Sequence, residues 1–113
     1  MNAAATREFL KRTIKTTSVL LLSKADCPRC QKVESLFNHY QTKPKIVHVD
    51  SRYDEQLIYD SIRRMTGSSD LPKLFIGGSF FGSSEEIEAL HKEGVLSDLV
   101  TKASAYSVKH VLV

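Results

Sequence analysis

Two cysteines stand three residues apart in Cys27-Pro28-Arg29-Cys30, and the chain holds no others. Such a pair can exchange thiols for disulfides, supply half of a zinc site, or do nothing beyond packing as two buried thiols. A zinc site needs further ligands, and the four histidines at positions 39, 48, 91 and 110 are scattered, none at paired-ligand spacing. Position decides between these readings. The motif follows a short apolar run and opens a helix, the context expected of a redox pair. At a helix start the unpaired backbone N–H groups and the dipole favour a thiolate at Cys27. Lys24 and Arg29 flank the pair and favour it further. Cys30, about one turn on and more buried, would then attack a mixed disulfide formed at Cys27.

The elements that must hold this pair can be read from periodicity. Residues 3–16 form a helix with Phe9, Leu10, Thr13 and Ile14 on one side and Arg7, Lys11, Arg12 and Lys15 on the other. Residues 18–23 (SVLLLS) are a buried strand. Pro28 suits the first turn of the next helix, since its missing N–H costs nothing there. Val33, Leu36, Phe37 and Tyr40 recur on one helical face, and Thr42-Lys43-Pro44 ends that helix. Residues 45–49 (KIVHV) make a second strand. A helix over 54–65 turns Ile58, Ile62 and Met65 inward and stops at Gly67. Residues 71–76 and 79–81 are strands joined by a Gly77-Gly78 turn. Ser83 with Glu86 fits a capping box at the head of a fourth helix, backed by Ile87 and Leu90. A last short helix covers 96–102, and residues 103–113 carry no clear pattern. Tyr40, Tyr53 and Tyr106 read most simply as packing residues. The order α-β-α-β-α-β-β-α-α contains a β-α-β unit, hence a parallel strand pair, followed by a hairpin. It implies a small mixed sheet with helices on both faces.

The bulk properties bound the function. At 113 residues the chain is one domain, with a core over about 18–100, an N-terminal helical segment 1–17 and a tail 103–113. A net charge of +3, with no Lys/Arg run longer than two, gives no reason to expect nucleic acid. The longest fully apolar stretch, Val19 to Leu22, is far short of a membrane span, so no membrane partner is expected. The basic N-terminal helix admits a mitochondrial address, but Glu8 and the inward pattern of Phe9, Leu10 and Ile14 favour a folded helix. The expected compartment is the cytoplasm, where a cysteine pair is kept reduced.

Lys24-Ala25-Asp26-Cys27-Pro28-Arg29-Cys30 resembles the K-x-x-C-P-x-C site of dithiol glutaredoxins. The resemblance continues through Thr66-Gly67, Leu71-Pro72, Phe75-Ile76-Gly77-Gly78 and Gly82-Ser83-Ser84-Glu85-Glu86, in the family's order and spacing, over roughly residues 18–100. It implies an α/β, thioredoxin-like fold: a four-stranded mixed β-sheet flanked by helices on both faces. It also implies reduction of protein disulfides and glutathione mixed disulfides through Cys27 and Cys30, with glutathione as co-substrate, no metal, and a monomeric chain. Lys24 is implied to hold the glycine carboxylate of glutathione. Leu71, before a cis Pro72, is implied to pair through its backbone with the glutathione cysteine. Ser84 and Glu85 are implied to hold the γ-glutamyl end. A helix N-terminus suits such a carboxylate, and a side-chain carboxylate suits the ammonium. Arg29 and Tyr59 stand at two further glutathione-contacting positions, where the family more often has an aromatic residue and Gln or Arg respectively. Asp70 stands where threonine is usual, and Arg63 is one turn beyond Tyr59. Two other readings share the same residues: a thioredoxin-like reductant recharged by a flavoprotein reductase, and a carrier of an iron–sulfur cluster ligated by Cys27 and glutathione. Pro28 argues against the carrier, since cluster-binding relatives usually have a smaller, more flexible residue there.

Overall fold

The computed structural model describes residues 2–112, with side chains through residue 105. Asn2 starts the first helix by accepting the Ala5 N–H at 2.8 Å, and α1 then spans Ala3–Thr16. Strand β1 follows at Val19–Ser23, helix α2 at Pro28–Leu36, strand β2 at Lys45–His48 and helix α3 at Glu55–Thr66. Strands β3, Lys73–Ile76, and β4, Ser79–Gly82, form a hairpin. Its turn, Gly77-Gly78, has φ of 58° and 84°, which side-chain-bearing residues rarely adopt. Helices α4, Ser84–Lys92, and α5, Val95–Leu112, complete the chain.

The sheet has four strands in the order β2-β1-β3-β4. β1 and β2 are parallel, β1 and β3 antiparallel, β3 and β4 antiparallel, so the sheet is mixed as expected. β1 is central and buried along its whole length. Its side chains alternate between two cores. Leu20 and Leu22 join Leu10 and Ile14 of α1 and Ile58 and Ile62 of α3 on one face. Val19 and Leu21 join Val33 of α2, Phe37, Ile87 of α4, and Leu96 and Val100 of α5 on the other. Helices therefore cover both faces, in the thioredoxin-like arrangement that the sequence implies.

Several expectations need correction. α2 ends at Leu36, and residues 37–39 continue as a 3-10 turn. The apolar stripe survives this change, because Tyr40 still packs on the second core and its hydroxyl lies 2.6 Å from His91 Nδ1. Met65 is not inward: it is 43% exposed, and Thr66 turns in instead, its hydroxyl donating to the carbonyls of Ile62 and Ser68. Tyr53 is 75% exposed beside Arg52 and contributes little packing. β3 begins at Lys73 rather than at Leu71, since Pro72 has no N–H to give to a ladder. The final helix runs through Leu112, across the stretch that shows no sequence pattern. Tyr106 and His110 lie outside the described side chains.

Candidate active site

β1 delivers the chain to a tight turn before α2. The Asp50 carboxylate, just past β2, accepts the N–H groups of Ala25 at 3.0 Å and Asp26 at 3.3 Å. Those bonds pin the turn and hold the Asp50 carboxyl below the usual carboxylate range. Cys27 then occupies the N-cap of α2 with Pro28 in the first turn, as the sequence predicts. Its Sγ accepts the Cys30 N–H at 3.4 Å.

The two thiols differ sharply in environment. Cys27 is 8% exposed and Cys30 is fully buried. Burial works against the Cys27 thiolate. It is outweighed by hydrogen bonds from the side chain and N–H of Cys30, the charge of Lys24 and the Arg29 N–H, so the Cys27 thiol is held below its ordinary value. Arg29 thus helps through its backbone. Burial pushes the Cys30 thiol up, and its hydrogen bond to Cys27 pushes it further.

Beside the pair, Lys24, Arg29, Tyr59 and Leu71 line one groove of about 210 Å³, together with Ser69 and Asp70. The Leu71–Pro72 peptide bond is cis. Four of the residues that the sequence assigns to glutathione therefore converge. Tyr59 comes with its hydroxyl already engaged: it donates to Glu55 Oε2 at 2.7 Å, and burial with that carboxylate pushes the phenol up. Arg63, one turn on, donates to Ser69 Oγ at 3.3 Å at the groove's margin.

Ser84 and Glu85 lie outside the lining of this groove, at the start of α4. Glu86 reaches back to the Ser83 N–H at 2.7 Å, the returning half of the expected capping box. Gly82 permits that geometry: its φ is 126°, and a Cβ there would sit 2.5 Å from Glu86 Cβ. Lys73 ties this region to Ser68, ahead of the cis proline. It is 2% exposed, and its ammonium donates to Ser68 Oγ at 3.1 Å and Ser83 Oγ at 3.3 Å.

Asp50, Ser69 and Lys73 are the positions that sequence reasoning misses. Lys73 left a faint signal, as a lysine opening an otherwise apolar strand. Asp50 left none, because its partners are supplied by the parallel registration of β1 and β2. Among the described residues no group of three or more His, Cys, Asp or Glu side chains is placed to hold a metal ion.

The Glutaredoxin family model matches residues 19–81. The chain is 34% identical to Glutaredoxin-C2 of Arabidopsis thaliana over 99 residues, covering 88% of this chain and 89% of that protein. It is 33% identical to a glutaredoxin of Vernicia fordii, covering 81% and 88%. Among solved structures it superposes on oxidized glutaredoxin 2 from Chlamydomonas reinhardtii with a TM-score of 0.84 at 27% identity, covering 93% and 99%. A buckwheat glutaredoxin–glutathione complex shares the fold with a TM-score of 0.85 at 22% identity, covering 91% and 94%. A cysteine at a helix N-cap, its partner buried one turn on and a cis proline beside them thus meet in a chain that belongs to the glutaredoxin family of glutathione-dependent thiol–disulfide oxidoreductases.

Proposed function

We propose that Cys27 is the nucleophile and Cys30 the resolving thiol of this reaction. The observation that carries the assignment is the opposite displacement of the two thiols: Cys27 below its ordinary value at the helix N-cap, Cys30 above it in the core. The Cys27 thiolate attacks a substrate disulfide, forming one S–S bond and releasing one substrate thiolate. Either Cys30 attacks Cys27 Sγ, leaving a Cys27–Cys30 disulfide and a fully reduced substrate, or a glutathione thiolate takes its place. Two glutathione molecules then restore the dithiol from the Cys27–Cys30 disulfide, or one more frees Cys27 from its mixed disulfide with glutathione, and glutathione disulfide leaves in either case.

Glutathione is proposed to lie along the groove, its glycine carboxylate at Lys24 and its cysteine backbone beside Leu71. Arg29 and Tyr59 would wall it, and its γ-glutamyl end would meet Ser84 and Glu85 at the head of α4. The convergence of Lys24, Arg29, Tyr59 and Leu71 supports this path, as does the glutathione bound in the buckwheat glutaredoxin complex. Glu86 is occupied with the Ser83 N–H, which leaves Glu85 as the acceptor for the ammonium. The proposed substrates are disulfide-bonded or glutathionylated proteins, met by a monomeric enzyme in the cytoplasm.

The test is turnover with glutathione and glutathione reductase. Cys30→Ser is expected to keep activity on a glutathione mixed disulfide and to lose most of its activity on an intramolecular protein disulfide; Cys27→Ser is expected to lose both. Equal loss of both activities in Cys30→Ser would overturn the assignment. Turnover driven by a thioredoxin reductase and not by glutathione would overturn the choice of reductant.

A further inference from the structure

Behind Cys30 runs a chain of polar side chains that the reaction above does not use. Ser23 closes β1 and, like Cys30, is fully buried, and its side chain favours the ionised form of the Cys30 thiol. The same hydroxyl donates to Glu34 Oε2 at 2.7 Å. Glu34, on α2, is in turn 3.1 Å from His48 Nε2, and a carboxylate can only accept, so that nitrogen carries the hydrogen. The parallel registration sets Ser23 opposite His48 and so assembles the array. Side-chain exposure rises along it, from a sealed thiol to 23% at Glu34 and 38% at His48. The array therefore connects the core to water.

We infer that Ser23 and Glu34, with His48 fixing the carboxylate, form a proton exit for Cys30 that operates in the resolving step. This inference rests on Cys30 being the resolving thiol. While Cys27 is a free thiolate, the Cys30 hydrogen is directed to it, which is one of the bonds that stabilise that thiolate. Once Cys27 is tied into a mixed disulfide it no longer offers a full charge, and the Ser23 oxygen is the acceptor left for the Cys30 hydrogen. The Ser23 hydrogen already points at Glu34. Cys30 passes its proton to Ser23 Oγ as Ser23 passes its own to Glu34 Oε2, and Glu34 releases one to water. The Cys30 thiolate attacks Cys27 Sγ, the Cys27–Cys30 bond forms, the bond from Cys27 to the substrate sulfur breaks, and the substrate leaves as a thiolate. The cysteine pair is oxidised by two electrons and the substrate is reduced by two.

Few other charges face the array. Tyr59 of α3 is close enough to feel a charge on Cys30, and Lys24 and Cys27 flank the thiol. His48 also bears on the Asp50 carboxyl. Lys32, on the same helix as Glu34, is turned away to Glu88 of α4 at 2.8 Å.

The test is a single turnover with 5,5′-dithiobis(2-nitrobenzoate), read by the absorbance of the released thiolate. The first equivalent reports attack by Cys27, the second reports resolution by Cys30, and this leaving thiolate needs no proton. In Glu34→Gln and in Ser23→Ala the ratio of second to first rate is expected to fall about a hundredfold near pH 6.5, at the low end of general-base effects. The deficit should close as pH rises and Cys30 ionises directly to water. His48→Gln should lose about twofold. A second phase with the wild-type pH profile in both Glu34→Gln and Ser23→Ala would overturn the proton exit, and so would a loss equal at every pH, which would mark these residues as packing. Absence of the second phase from the wild-type protein, or its survival in Cys30→Ser, would instead overturn the assignment of the resolving thiol.

Discussion

Asp54 and Lys73 are the two acidic or basic residues buried among the described residues, at 3% and 2% exposure, and the fold treats them oppositely. Asp54, at the head of α3, receives the Thr6 hydroxyl at 2.9 Å and the Arg52 guanidinium at 2.9 and 3.3 Å. Arg52 also lies over the Phe9 ring at 4.0 Å, so the cluster fastens α1 to α3. Burial pushes the Asp54 carboxyl up, yet Arg52 and Thr6 together bring it below the usual carboxylate range. Lys73 has hydrogen bonds to serine hydroxyls only. Burial holds its ammonium below the ordinary lysine value, and the charges of Asp70 and Glu86 offset that only in part. The first group is neutralised in place by Arg52 and Thr6. The second keeps a positive charge that is offset only in part, next to Leu71-Pro72 and tied through Ser83 to the head of α4. A fold can bury a charge to hold itself together or to meet something else, and the difference shows in the partners.

The comparison breaks most visibly at Asp54. Asp54→Ala leaves the Arg52 charge and the Thr6 hydroxyl without their acceptor, a loss of about 3–5 kcal/mol. At this size that corresponds to a fall in Tm of on the order of 15 °C by calorimetry. Thiol turnover well below the new Tm should be unchanged. Lys73→Met, by contrast, exchanges a strained ammonium for an apolar chain against Phe80, and stability should move by about 1 kcal/mol or less in either direction. The KM for a glutathione mixed disulfide should rise several-fold in that variant. A Tm loss in Lys73→Met as large as that of Asp54→Ala, with KM unmoved, would erase the distinction.

The smallest effect separates the two by pH. A carboxyl depressed on folding stabilises the native state above its unfolded value, near pH 3.9, and that contribution is lost as pH falls through the folded value. A lysine depressed on folding costs stability below its folded value and gives the same slope at the alkaline end: stability is gained as pH rises from the folded value toward about 10.4. Urea midpoints measured against pH should show the acid limb diminish in Asp54→Asn and the alkaline gain diminish in Lys73→Met. The same pH dependence in each variant as in the wild type would assign both limbs to other groups.

The parts of the molecule legible in the sequence are those written in local periodicity and turn chemistry. The α1 stripe, the all-apolar β1, the Cys27 N-cap and the Gly77-Gly78 hairpin need no knowledge of distant residues. Met65 misleads because the stripe of α3 passes to Thr66 at its last turn. Residues 103–112 contain no glycine or proline to stop a helix, but also no single apolar face to announce one. At the site, the groove residues are legible because they sit in recognisable local motifs. Asp50 with Ala25, Ser23 with Glu34 and His48, and Lys73 with Ser68 and Ser83 are not. Each arises where strand registration or a hairpin brings separate segments together, and no spacing along the chain encodes it.

The central position of β1 has a consequence during synthesis. Its register partners lie around residues 45 and 73–76, so it is translated long before either neighbour exists. A nascent chain that has emerged to residue 70 can seat Val19–Ser23 against β2 on one side only. The run VLLLS, with its other edge and part of both faces uncovered, is then open to pairing with another chain. The hairpin that closes the sheet is also the element that ends this exposure.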